Sequence, residues 1–288
     1  MRDTNSFVTV EVKTYLETGY RDPNRWGWPG STFMEQEVNA GRILRDALIN
    51  AVQQRLSGLP SLPSPPAVDL VSMTRAKVMP MVIGLFTQDE RPAIMRALEA
   101  SVIFLTPDNI ESVLRTATWL STSWDLANLY LLEHQAEPLS PTAPQIVGLS
   151  EETTCYLGLD YLRHWDDDGF DDYLVHEVAH IFHNCRRVTL GLSETRNQRF
   201  LLNIDYSKRE TFAYACEAYS RFVSLSASRN GRRTALSKHA SGRLPGEGVM
   251  NQQEYLDILA KAVDAKNGWK SISQACAPVK KSPNKFAA

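Results

Sequence analysis

The residues best suited to chemistry lie together in Tyr173-Leu174-Val175-His176-Glu177-Val178-Ala179-His180-Ile181-Phe182-His183. In a helix, His176 and His180 sit one turn apart and are offset by only ~40° around the axis. Two imidazoles so placed can share one metal ion, so the pattern H-E-x-x-H points to metal chemistry. Glu177 falls at the edge of that face, where a carboxylate can hold a metal-bound water rather than ligate the ion. Leu174, Val175, Val178, Ala179 and Phe182 cover the other faces with apolar side chains, as a buried helix requires.

On these residues the chain resembles the zincin metallopeptidases, over about residues 120–225. The resemblance implies zinc (Zn2+) as cofactor, a peptide or protein as substrate, and peptide-bond hydrolysis by a zinc-bound water that Glu177 activates. Glu177 would then deliver the proton to the leaving amine. The implied fold has a small mixed sheet whose edge strand borders the substrate cleft, the H-E-x-x-H helix beneath it, and a later helix with a third zinc ligand. Thr153 to Tyr161 would be that edge strand.

For the third ligand, His183 lies two turns beyond His176, ~10 Å along the axis, so a straight helix cannot bring all three histidines to one ion. A metzincin would carry histidine at position 186, which is arginine here. Asp205 would suit an aspartate-ligand zincin, but the glycine-flanked motif of that group is absent. In Lys208-Arg209-Glu210-Thr211-Phe212-Ala213-Tyr214-Ala215-Cys216-Glu217-Ala218, residues Glu210, Tyr214 and Glu217 share a face at i, i+4 and i+7. The E-x-F-A string is similar to the ligand helix of gluzincins, whose first glutamate binds zinc. Glu210 is therefore the preferred ligand and Glu217 the alternative. Residues 181–209 make a longer interval than usual in gluzincins, implying an inserted loop around 187–206. The oxyanion needs a second stabiliser, for which Tyr214 is taken, with Tyr219, Tyr206 and His239 as alternatives. Glu217 is also a candidate to orient a zinc-bound histidine, ahead of Asp171 and Asp172. Asp166 to Asp168 read as a turn complementing a helix N-terminus rather than a calcium loop, and His134 and His164 as surface or capping residues.

The elements expected to position these residues define an α+β fold. Phe7 to Val12 alternates like a short strand, and Ser31 caps a helix running to Leu56. Gly58 to Pro66 is a proline- and serine-rich linker. Residues 68–135 read as mostly helical, with a strand-like run at Ser101 to Leu105, one helix capped by Asp108 and running to about Leu120, and another from Trp124 to His134 capped by Ser123. Gln145 to Leu149 and Thr153 to Tyr161 suggest antiparallel strands. Helices follow at about Phe170 to Arg186 and Ser207 to Leu225, residues 226–250 are loop-like, and Gln252 to Asp264 is a closing helix. The expected organisation is a helix-rich N-terminal region, 1–120, for substrate recognition, a zincin-like catalytic region, 121–276, and a flexible basic tail, 277–288.

The composition of the 288 residues, 43% hydrophobic and 22% charged, is that of an ordinary globular chain. A formal net charge of −2 gives no field to attract nucleic acid or an anionic membrane, and the basic clusters Arg229/Arg232/Arg233 and Lys280/Lys281 sit in polar stretches. Cys155, Cys185, Cys216 and Cys276 are too scattered for a disulfide framework. No signal-like run opens the chain and no stretch approaches ~20 apolar residues, so a cytoplasmic location is expected, although export without a signal is compatible. Hydrolysis of a non-peptide amide, cleavage of one specific protein partner, or a catalytically idle zincin fold used for interaction are the competing functions. Glu177 argues against idleness.

Overall fold

The computed structural model describes residues 4–22, 27–60, 68–164, 172–196 and 198–279, with backbone only at 4, 5 and 164. In chain order the elements are α1 (Thr4–Thr18), α2 (Phe33–Leu56), α3 (Leu70–Leu85), α4 (Arg91–Ser101), β1 (Val102–Phe104), α5 (Ile110–Thr116), α6 (Leu120–Glu133), β2 (Gly148–Glu151), β3 (Thr154–Leu157) and α7 (Tyr161–His164). They continue with α8 (Tyr173–Asn184), α9 (Arg209–Leu225), α10 (Arg229–Ala240), α11 (Gln252–Asp264) and α12 (Gly268–Ala275). The fold is α+β and mostly helical, with one three-stranded sheet, of order β1-β3-β2, among the described residues. Only Glu152 and Thr153 join β2 to β3, a connection that antiparallel neighbours alone permit. Among the described residues, no helix is long and apolar enough to cross a membrane.

The chain divides into two compact units interleaved in sequence, one of residues 1–67, 103–151 and 156–164, the other of residues 68–102, 152–155 and 165–288. In the first, Tyr15, Leu44, Leu48, Trp124, Leu126 and Tyr130 belong to one buried cluster. The second is helical: α8 packs on α9 and α3, and α9 also contacts α10, α11 and α12.

Several local expectations are corrected. Phe7 to Val12 is not a strand but part of α1, because Val8, Val12, Tyr15 and Leu16 recur at helical spacing and pack on the first core. Helix α2 is capped by Thr32 rather than Ser31, in a capping box where Thr32 Oγ1 accepts from Glu35 N–H and Glu35 accepts from Thr32 N–H. Asp108 does not cap α5. Asn109 stands at that position, and its amide instead bridges Thr106 N and Phe104 O, both at 2.8 Å. Ser123 lies inside α6, donating to Leu114 O, while the buried Glu151 carboxylate accepts from the amides of Thr118 and Trp119 just ahead of that helix. The strand at Gln145 shifts to β2, Tyr161 is helical, and Thr153 to Tyr161, expected as the edge strand, instead supplies β3, the central strand of the sheet. Residues 226–250 contain α10, whose polar surface hides a buried stripe of Ala235 and His239. Gln252 to Asp264 does not close the fold, since α12 follows, capped by Asn267 and burying Trp269 and Ile272. The acidic turn at Asp166 to Gly169, Asp171, most of the linker and the tail from position 280 lie outside the described residues.

Candidate metal centre

Helix α8 is fixed at both ends. At its start, Asp172 accepts from Val175 N–H at 3.4 Å through one carboxylate oxygen and from Lys77 Nζ at 2.7 Å through the other. The Asp172 N–H donates in turn to Glu217 Oε1 of α9 at 2.6 Å. At its end, the carbonyls of Phe182 and Cys185 accept from Leu202 and Leu201 N–H at 2.7 and 3.0 Å, satisfying acceptors that a helix C-terminus leaves open. The expected insertion between α8 and α9 is thereby tied to α8. An isolated bridge joins Arg186 to Phe200, and buried Arg187 pairs with Glu90 and donates to Ser193 O.

Leu174, Val175, Val178, Ala179 and Phe182 are buried, and Ala213, Ala215 and Ala218 of α9 are small enough to let helices approach closely. The approach brings Glu210 in the first turn of α9 opposite the two histidines. His176 Nε2 and His180 Nε2 lie 3.1 Å apart. The Glu210 carboxylate reaches within 3.8 Å of the former and 3.6 Å of the latter. All the donor atoms fall within 4.8 Å of one another. Ligand atoms of a tetrahedral zinc with bonds near 2.0–2.1 Å stand ~3.3 Å apart. The observed spacings bracket that value, and two imidazoles with one carboxylate form a donor set suited to zinc.

The surroundings set the protonation of these groups. Burial opposes the charged form of His176, but the Glu210 and Glu217 carboxylates outweigh it and push the imidazole up to about 10. His180 is pushed down to about 3 by burial, then by the His176 charge. Burial also takes His183 down to about 4, with the positive Arg209 adding to it. Glu210 is held below the usual carboxylate range by its bond to His176, against a desolvation penalty. The two imidazoles are thus pushed in opposite directions, His176 toward its charged form by the carboxylates and His180 toward its neutral form by burial and the His176 charge.

Glu217, a candidate for either of two tasks, stands at 3.1 Å from His176 Nδ1, on the side of the ring away from Glu210. Glu177 is half-buried, and its charge acts on His176, on Tyr214 and on the buried thiol of Cys155. The Tyr214 ring stacks edgewise on His176 with centroids 4.4 Å apart, and burial pushes its hydroxyl up to about 12. The alternatives to Tyr214 are engaged otherwise: Tyr219 packs on Trp269, Tyr206 is exposed beneath Arg209, and His239 bonds to the Tyr255 hydroxyl at 2.7 Å. Asp205 caps the turn ahead of α9 by accepting from Ser207. His134 bonds to Tyr130 O, one turn back on its own helix. Sequence reasoning missed Lys77 and Asn184, whose contributions no local pattern marks. No family model matches this chain, and no curated protein and no solved structure matches it.

Proposed function

We propose that the protein is a zinc-dependent metallopeptidase of the zincin type, with His176, His180 and Glu210 as ligands. The observation that supports this most is the convergence of those three donor sets at zinc spacing, with Glu177 beside them. Zinc bound there would polarise a substrate carbonyl and lower the pKa of water toward ~7. Glu177 is the residue that takes the proton of the attacking water and passes it to the leaving nitrogen. The Tyr214 hydroxyl stays protonated at neutral pH and can donate to the developing oxyanion. Glu217 accepts from His176 Nδ1–H, which leaves the Nε2 lone pair for the ion.

The test is elemental analysis of wild type, His176→Ala and Glu177→Gln, with turnover of casein and of a peptide library. One zinc in wild type and in Glu177→Gln, none in His176→Ala, and turnover in wild type alone is the expected result. A wild type that takes up no zinc when supplied with it defeats the metal assignment. Full activity in Glu177→Gln removes that residue as the base.

A further inference from the structure

The buried side of the site contains a histidine that binds no ion in the assignment above. His183 is 3% exposed, and both of its ring nitrogens have polar partners. Its Nε2 lies 3.0 Å from His180 Nδ1, and its Nδ1 lies 3.1 Å from Asn184 Oδ1. A buried imidazole is costly unless both nitrogens are satisfied. An apolar side chain would pack at this place on α8 without that demand.

The direction of these bonds follows from one requirement. If His180 gives its Nε2 lone pair to a metal, its proton must sit on Nδ1. Nδ1–H then donates to His183 Nε2, which must be an unprotonated acceptor. The His183 proton is therefore on Nδ1, where the Asn184 Oδ1 accepts it. Each link dictates the next, and the chain ends on an atom that only accepts.

We propose that His183, anchored by Asn184, is a positioning residue that fixes the ring and tautomer of His180 for metal ligation. The inference rests on the metal reading of the site. The two ligand histidines are thereby supported differently, His176 by the carboxylate of Glu217 and His180 by a neutral imidazole. Without the acceptor at position 183, His180 Nδ1–H loses the partner it has at 3.0 Å. The tautomer with its proton on Nε2, facing the ion, then becomes competitive.

The experiment compares wild type, His183→Leu and His183→Gln by zinc affinity in chelator competition and by the visible spectrum of the cobalt-substituted protein. Leucine removes the acceptor, whereas a glutamine oxygen can take its place. Zinc affinity should fall about 10- to 100-fold in His183→Leu, with a shifted cobalt band, and return to within about threefold of wild type in His183→Gln. Wild-type affinity and spectrum in His183→Leu, or a glutamine variant as weak as the leucine variant, overturns the proposal. Should His183→Leu not fold, Asn184→Leu at the half-buried end of the chain serves. A several-fold loss of affinity is expected there, and no loss overturns the proposal. A wild type that binds neither zinc nor cobalt instead overturns the metal reading itself, which that arm reads separately.

Discussion

Glu210 and Glu217 lie on one face of α9, yet their removal should have opposite signatures. Glu217 is 4% exposed and spans two buried partners, the Asp172 N–H at 2.6 Å and His176 Nδ1 at 3.1 Å. Glu217→Ala takes an acceptor from a buried amide, at about 1–3 kcal/mol, and removes a charge-assisted bond of about 1.5–3 kcal/mol. The sum, about 2.5–6 kcal/mol, corresponds to a fall of roughly 4–10 °C in Tm for a protein of this size. Glu210 is 41% exposed and stands no closer than 3.6 Å to a histidine nitrogen. Its replacement by alanine should cost at most about 1 kcal/mol in the metal-free protein. On the proposed metal assignment, zinc affinity should order the other way, since Glu217 would support a ligand, worth about 10- to 100-fold, whereas Glu210 would be one. Calorimetry in excess chelator, paired with zinc competition, reads both quantities on the same variants. Equal Tm losses would refute the burial argument. A larger zinc defect in Glu217→Ala than in Glu210→Ala would exchange their assignments.

Further outcomes follow from the site and its packing. In the metal-free protein His176, raised from 6.5 to about 10, contributes stability that is complete below pH 6.5 and is lost as pH climbs through 10. His180 and His183, lowered to about 3 and 4, contribute stability present above 6.5 and lost as pH falls. Urea midpoints in chelator should therefore peak near pH 6.5, with slopes of about 1.4 kcal/mol per pH unit per proton, and saturating zinc should abolish the alkaline decline. A chelated protein whose stability rises steadily from pH 6.5 to 9 contradicts this. Tyr214→Phe should retain zinc while kcat falls about 10²- to 10³-fold, and unchanged kcat would exclude the hydroxyl from oxyanion binding. Gly84→Ala should lower stability by about 1–3 kcal/mol despite alanine's higher helix propensity. Its new Cβ would stand 2.2 Å from Trp269 Cδ1, and a Tm equal to or above wild type would show that α12 yields freely.

The legible parts of this molecule are those whose signal is carried by spacing along one helix. His176 and His180 meet because residues four apart share a face, and Glu210 and Glu217 lie together because seven residues make nearly two turns. The buried Ala213, Ala215 and Ala218 likewise mark a helix meant for close packing. What was illegible depends on partners remote in sequence. Lys77 reaches Asp172 from α3, and Glu151 serves the start of α6 from β2, so no window around either acceptor contains its partner. Phe7 to Val12 misleads for another reason: its residues fit a two-residue alternation as well as a helical stripe, and the length of α1 decides between them. In α10, charged residues outnumber the buried Ala235 and His239, so composition suggests a loop where packing makes a helix.

The bridge between Arg186 and Phe200 separates two lengths that are otherwise easily confused. The path from His180 to Glu210 is long in sequence, yet the loop projects from a base already closed by the bonds of Leu201 and Leu202 to the end of α8. Residues added beyond that base would lengthen the excursion without moving α8 or α9. Gly191 marks one such place, since its φ is +71° and a Cβ there would meet nothing within 4 Å. Doubling such a loop costs only about 0.6 kcal/mol of closure entropy. The interval between His180 and Glu210 is thus free to drift, which makes it a poor ruler of kinship and a natural place to graft a reporter or a new specificity element.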